Sequence, residues 1–553
     1  MTGASEPVRA DATEPARLVT TSPDRVPDLV DHVVVGGGVA GCVLAARLTE
    51  DPSVTVLLLE SGDDPDEAPE DLADAVRTPG LAPTLWADER VVYADLTVPQ
   101  QALGGRRVPL SSGRGLGGGS TVNAMAWYQG FPADYDGWAA SGATGWGWET
   151  IAPLLRAAED HELGAGAHHG AGGPMSVSTP RHLHAAAAAF VRAAVAAGIE
   201  PSHDLNGERR EGVGNLPVSM RDGARSSVVE GYLRPASTRP NLHVLTGQPV
   251  RRVLVEAGRA VGVLAGEGDG EREWRARRGV VLCAGALRTP QLLMLSGIGP
   301  ADHLAEHGVP VVVNRPAVGA NLHDHPVVTV AWPLVDAPAL RGGLNEDPRE
   351  VYRLLRRGPL AALGQTVAVT RSGPDAQRPD LHLILFPIGE DAGGPALPAP
   401  AVACSLALLD PDSRGTLRLA STDPADAPLI DPAYLTAPAD RDRLHRGLEL
   451  MRELFDTEPL AAMTGPRLGP APGDGAAALD AFIDENLATY WHPVGTARVG
   501  SDDDAVVDPS LAVWGVQNLW VADASVVPRI PAAALQGPTI AIAERAARLL
   551  RAT

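Results

Sequence analysis

The run LVDHVVVGGGVAGCVLAARLTEDPSVTVLLLESG, residues 29–62, decides the fold. Val33 to Val35 is an apolar, β-branched stretch, as a strand buried on both faces requires. Gly36, Gly38 and Gly41 follow as G-x-G-x-x-G, and Leu44, Ala45 and Leu48 then repeat at helical spacing. Val54 to Leu59 is a second apolar strand, and it ends in Glu60. Strand, glycine turn, helix and strand make a βαβ unit of the length that opens a Rossmann-like α/β domain. The glycines permit a tight turn, let the backbone approach a pyrophosphate, and aim a helix N-terminus at phosphate charge. An acid closing the second strand suits an unphosphorylated ribose, which points to NAD or FAD and not NADP.

Further strands of the same kind lie far along the chain. RGVVLCAGAL (278–287) and VQNLWVADAS (516–525) both end in small residues and turns, and they extend the same sheet if the nucleotide domain is discontinuous. Between them the texture changes. RPDLHLILFPI (378–388) alternates, and ACSLALLDPDSRGTLRLAS (403–421) is expected to form two strands joined by a tight turn. An antiparallel sheet with helices, one of them over 440–455, is the expected second layer.

Composition narrows the partners. A formal net charge of −22 disfavours nucleic acid or an anionic membrane surface. No stretch approaches the roughly 18 consecutive apolar residues that span a bilayer. The first 28 residues are polar and Pro-rich, with no apolar core of an export signal, so a disordered tail and a cytoplasmic location are expected. Cys42, Cys283 and Cys404 are far apart in apolar runs and are expected to be buried thiols, with no disulfide framework and no metal site.

Two long motifs carry a family resemblance. SSGRGLGGGSTVNAMAWYQGFPADYD (111–136) resembles the first signature of the glucose–methanol–choline (GMC) oxidoreductases, through Gly113, Arg114, Leu116 to Ser120, Asn123, Trp127, Gly130 and Asp136. GALRTPQLLMLSGIG (285–299) resembles the second, and HHGAGGP, VGANLHDHP, LLDPDSRGTLRL, WHPVGTARVG and VADASVVP follow in the family's order. The resemblance runs from about residue 30 to the C-terminus. It implies an FAD-binding domain interleaved with an α+β substrate domain built on an antiparallel sheet. The expected division is a tail over 1–28, an FAD-binding domain over 29–160, 222–325 and 488–553, and a substrate domain over 161–221 and 326–487.

For the cofactor, the resemblance implies contacts from Gly36, Gly38, Gly41, Glu60, Arg114, Gly117, Gly118, Ser120, Asn123, Asp523 and Ala524. Val250 corresponds to a backbone contact to the adenine. Some members attach FAD through a histidine just upstream of the glycine run. Here that stretch is RRVPLSSGRG (106–115), with no histidine, so the FAD is expected to be non-covalent.

TYWHPVGTARVG (489–500) contains His492. Taken alone it is an ordinary structural histidine; the resemblance makes it the family's active-site histidine. It would take the hydroxyl proton of a small alcohol while hydride passes to the flavin, and an imidazole has the right basicity near neutral pH. The electron acceptor that follows is molecular oxygen or another carrier. The family usually adds a second His or Asn, and counting back five residues from Thr539 lands on Ala534. Three readings stay open. Gln536 or Tyr490 substitutes, His492 works alone, or the chemistry has diverged towards the lyase or decarboxylase reactions of other branches. Metal binding at His323 and His325, which flank Asp324, is not expected, because no further ligands cluster beside them.

Overall fold

A computed structural model describes residues 18–335, 347–388, 401–467, 469 and 475–552. The opening unit folds as its sequence dictates: strand β1 (Leu29–Val35), helix α1 (Val39–Leu48) and strand β2 (Val56–Leu59), with β1 and β2 parallel and buried. They lie in a seven-stranded sheet. Across it run Leu242–Leu245, β2, β1, Arg272–Leu282, Arg259–Ala265 and Val250–Glu256, and Leu519–Val521 pairs with the C-terminal part of Arg272–Leu282. Val33 to Val35 pair with Val280 to Leu282, which pair in turn with Leu519 to Val521, all parallel. Both late apolar runs therefore join the first sheet, and chain distant in sequence completes its centre. Helix Gln536–Arg551 packs against α1.

The second sheet is six-stranded and antiparallel, ordered Ala488–Thr489, Pro326–Pro333, Ala401–Leu408, Leu381–Ile388, Thr366–Thr370 and Gly212–Asn215. Its alternation separates two faces. Leu381, Leu383 and Leu385 pack in one core with helices Ala185–Ala196 and Pro438–Phe455, whereas Val367, Val369 and Ile384 join a smaller cluster with Met125, Tyr128 and Ala533. That smaller cluster holds residues of both layers, so it lies where the two sheets meet.

Three expectations need correction. Residues 18–28 are not a disordered tail: Leu18 and Val26 are buried in the first core, and Thr21 N donates to Val244 O at 2.8 Å. Residues 1–17 of that expected tail lie outside the described residues. The strands of the 403–421 run do not form one hairpin. Ala401–Leu408 stays in the six-stranded sheet, while Thr416–Arg418 pairs with Leu429–Asp431. Leu417, Leu419 and Ile430 pack in the first core, and so do Met175 and Val177, so parts of the expected substrate segments belong with the nucleotide sheet. Conversely, Leu103 and Val108 pack in the core of the second sheet. Apolar side chains, not chain continuity, decide which layer a segment joins.

Candidate active site

The candidate cofactor cradle begins at Gly36, whose φ of +99° an L side chain rarely adopts. A Cβ on Gly41 would lie 1.9 Å from the Gly36 carbonyl oxygen, so α1 packs on its strand at a distance only glycine allows. The second glycine run folds onto the first. Gly117 N donates to Gly37 O at 2.7 Å, and a Cβ on Gly118 would come within 2.9 Å of Gly38 Cα. Ser120 Oγ closes that turn on Gly117 O at 2.8 Å. The Glu60 carboxylate accepts from Gly37 N (2.7 Å), Gly62 N (2.8 Å) and Gly115 N (3.0 Å), welding three turns together. Its Oε2, engaged by Gly37 N, keeps a lone pair for a further donor.

Asp523 joins the late strand to helix Gly285–Leu295. Its Oδ2 accepts from Gly285 N (2.8 Å) and Thr289 Oγ1 (2.6 Å), and its Oδ1 accepts from Ser525 N (2.8 Å). Ala524 O accepts from Gly495 N at 3.3 Å, so this turn also carries the His492 loop. Val250 opens its strand half-buried against the first core. Arg114 is exposed, with its guanidinium 5.8 Å from the Tyr93 ring. Helix geometry leaves the first N–H groups of α1 without intrahelical partners. A Cβ added at Gly38 or Gly119 would meet nothing within 4 Å among the described residues. Open backbone at a positive helix end fits the pyrophosphate of a dinucleotide.

His492 is held from two sides. Its backbone N donates to Asp324 Oδ1 at 2.8 Å, and Asp324 Oδ2 accepts from Thr489 Oγ1 at 2.5 Å and from the Tyr434 hydroxyl. Burial pushes the Asp324 carboxyl up to about 6, against these stabilising bonds. On the ring side, His492 Nδ1 lies 2.9 Å from His325 Nδ1, and His325 Nε2 lies 3.0 Å from Leu409 O. The two imidazoles meet edge-on, and the Tyr490 ring stands 4.8 Å from that of His492. Burial, then the neighbouring His325 and His382, hold His492 well below the ordinary imidazole range. His325 falls to about 4 and His382 to about 3, burial being the leading cause for each. At neutral pH all three imidazoles are uncharged.

Gln536 sits at the start of the C-terminal helix and is 6% exposed. Its Oε1 accepts from Asn123 Nδ2 at 2.6 Å. Asn123 Oδ1 in turn accepts from Arg225 Nη1 (2.6 Å) and Met125 N (3.0 Å). These bonds fix the orientation of both amides. Gln536 Nε2, Tyr128 Oη and His382 Nδ1 are buried with no hydrogen-bond partner among the described residues. The Tyr128 and His382 rings meet at a tilt of 42° with centroids 4.6 Å apart, and a Cβ on Gly537 would lie 2.9 Å from Tyr128 O. Tyr490, Ala534, Phe386, Leu363 and Phe131 are half-buried against the cluster that contains Tyr128. The structure therefore brings His492, Tyr490, Gln536 and Asn123 to one region, and Ala534 contributes only apolar surface there. Sequence reasoning missed Asp324, His325, Tyr128 and His382. The HDH triplet was the one visible signal, and only its second histidine reaches His492; His323 Nδ1 instead accepts from Ile530 N at 3.2 Å.

Glycine turns with open backbone at a helix end, together with a neutral imidazole, are the parts that a dinucleotide-dependent oxidoreductase needs. The chain belongs to the GMC oxidoreductase family: residues 30–327 and 411–543 match its N- and C-terminal parts. It is 39% identical to an uncharacterized GMC-type oxidoreductase of Mycobacterium tuberculosis, over 94% of this chain and 99% of that one. It is 37% identical to human mitochondrial choline dehydrogenase, over 97% of this chain and 92% of that one. Among solved structures, pyridoxine 4-oxidase from Mesorbium loti superposes with a TM-score of 0.86 at 33% identity, covering 95% of this chain and 99% of that one. Formate oxidase from Aspergillus oryzae RIB40 gives 0.87 at 27% identity, covering 95% and 98%. The cofactor of this flavoprotein family is FAD.

Proposed function

We propose that the chain oxidises the CH–OH group of a small alcohol, with His492 as the base that takes the hydroxyl proton. FAD supplies the hydride acceptor, held non-covalently by the Gly36–Gly41 and Gly117–Ser120 turns. The observation that carries this reading is a neutral, half-buried imidazole in the same region as an unpartnered amide donor. A hydroxyl group needs both, an acceptor for its proton and a donor for its oxygen. Tyr490 packs against His492 and limits its rotation, and Gln536 supplies the polar group that Ala534 lacks. With Gln536 in that part, nothing specific favours lyase or decarboxylase chemistry over alcohol oxidation.

Anaerobic mixing of the purified protein with aliphatic, aromatic, sugar and sterol alcohols tests the reading. At least one class should bleach the flavin absorbance, and bleaching by none of them would refute alcohol oxidation. Turnover in air compared with turnover on an artificial acceptor separates molecular oxygen from another electron carrier. Acid precipitation should release the flavin into solution if attachment is non-covalent.

A further inference from the structure

His325 stands between a backbone carbonyl and His492, with one ring nitrogen on each. A backbone carbonyl only accepts, so the 3.0 Å contact between His325 Nε2 and Leu409 O places a hydrogen on His325 Nε2. A neutral imidazole carries one N–H, and His325 is fully buried with its basicity depressed by that burial. Its Nδ1 is therefore a bare acceptor. At 2.9 Å from that atom, His492 Nδ1 must be the donor, because two bare nitrogens at this distance repel. The second nitrogen of His492, Nε2, is left without a hydrogen. No hydrogen bond reaches it among the described residues, and His492 is half-buried where the ring of Tyr490 meets it.

We propose that the Leu409–His325–His492 chain locks His492 in the tautomer with hydrogen on Nδ1, so that Nε2 is permanently presented as the proton acceptor. The anchor is rigid. Leu409 N donates to Asp380 O at 2.7 Å. In the turn that follows, Asp440 accepts from Asp412 N (2.8 Å) and Ser413 N (2.9 Å). The other groups around His492 do not compete for its ring. Asp324 spends its oxygens on the His492 backbone, Thr489 and Tyr434; the His382 ring packs at a tilt against Tyr128. The inference deepens the proposed alcohol oxidation by supplying the reason that His492 is a competent base without an ionised partner.

The test has a readout independent of turnover. In ¹⁵N-histidine-labelled, FAD-loaded protein, His492 is assigned by its disappearance in His492→Ala, and its proton-coupling pattern should show Nδ1 protonated and Nε2 bare. The opposite tautomer, or an even mixture, overturns the proposal. His325→Leu removes the acceptor and should lower the rate of flavin reduction roughly 10- to 100-fold, the usual effect of losing a group that orients a functional imidazole. His325→Asn, whose Oδ1 can accept from His492 Nδ1, should recover most of that rate and restore the tautomer. Wild-type rates in His325→Leu would refute the role. If no alcohol reduces the flavin of the wild-type protein, the oxidation reading fails, while the tautomer measurement still decides the placement of the proton. Should His325→Leu fail to fold, the wild-type spectrum and His325→Asn carry the decision.

Discussion

The unpartnered amide of Gln536 gives the sharpest prediction. Asn123 Oδ1 is committed to Arg225 and Met125, so Asn123 Nδ2 must donate and Gln536 Oε1 must accept. Gln536 Nε2 cannot turn away without placing two N–H groups face to face, and it is left as a buried donor awaiting an acceptor. If the substrate oxygen is that acceptor, the bond strengthens as the hydroxyl proton departs and negative charge grows on the oxygen. A hydrogen bond to a charged group contributes about 1.5–3 kcal/mol, and about 1.4 kcal/mol is tenfold in rate. Gln536→Leu should therefore slow flavin reduction by about 10- to 100-fold.

Two variants separate this effect from structural damage. Gln536→Leu also strands Asn123 Nδ2, at a cost of about 1–3 kcal/mol in stability. Gln536→Glu keeps an acceptor for Asn123, and its carboxylate lies favourably at a helix N-terminus. The ionised form has no hydrogen to donate. Anaerobic stopped-flow at pH 8, with thermal unfolding and flavin content measured on the same samples, should show both variants slow and only Gln536→Leu clearly destabilised. If both variants are folded, loaded with flavin and within threefold of the wild-type rate, Gln536 is no donor to the substrate.

Three further outcomes are expected. His492→Ala should lower turnover about 10²–10⁴-fold, the usual size of a general-base contribution, with FAD still bound; near-normal turnover in a flavin-loaded variant would remove His492 from the chemistry. Gly41→Ala places a Cβ 1.9 Å from the Gly36 carbonyl oxygen, so the purified variant should be depleted of flavin by its absorbance ratio or unfolded, and a fully yellow, stable protein would contradict the cradle. Acid should destabilise the fold. When folded, His32 and His325 are held at about 4, His382 at about 3, and His323 and His492 well below the ordinary range, against about 6.5 when unfolded, so the unfolded chain binds several more protons below pH 6.5. Asp324, raised to about 6, opposes with one. The lowered histidines outnumber the opposing carboxyl, so stability should fall between pH 6 and pH 5, by about 1.4 kcal/mol per pH unit for each net proton taken up. Urea midpoints that hold steady or rise over that interval would refute it.

The βαβ unit was legible because every feature it needs is local: β-branched runs, glycines where a Cβ collides, and an acid at the strand end. The late strands were legible for the same reason, since an apolar run reveals a buried strand wherever it falls in the chain. The surroundings of His492 were not. Pro326 pairs with Thr489 and Val327 with Ala488, and this register alone brings His325 beside Tyr490 and His492, across a sequence separation of 167 residues. Nothing in either local pattern announces that pairing, so HDH reads only as a turn with no expected metal, and the closeness of its second histidine to His492 stays hidden. Counting along the chain likewise put the missing polar partner at Ala534. The first turn of the C-terminal helix instead buries Gln536 against Asn123, two residues further on, and the proposed donor is that amide.

These two chains of hydrogen bonds have opposite polarity, and under the proposed oxidation that difference would let two neutral end groups act on a hydroxyl. One starts at a carbonyl, Leu409 O, passes through His325 and ends on a bare nitrogen of His492. The other starts at a guanidinium, Arg225, passes through Asn123 and ends on the hydrogens of Gln536. Each buried link fixes the next, so the terminal acceptor and the terminal donor are set before any substrate arrives. An alcohol offers the complement, a hydrogen to give and lone pairs to receive. In the proposed reaction, the charge that develops during proton transfer would fall on His492 and the substrate oxygen, beside groups already oriented. A substitution that reverses either chain should therefore damage the rate more than the fold, and replacing a terminal group should cost less in stability than replacing the middle link that holds it.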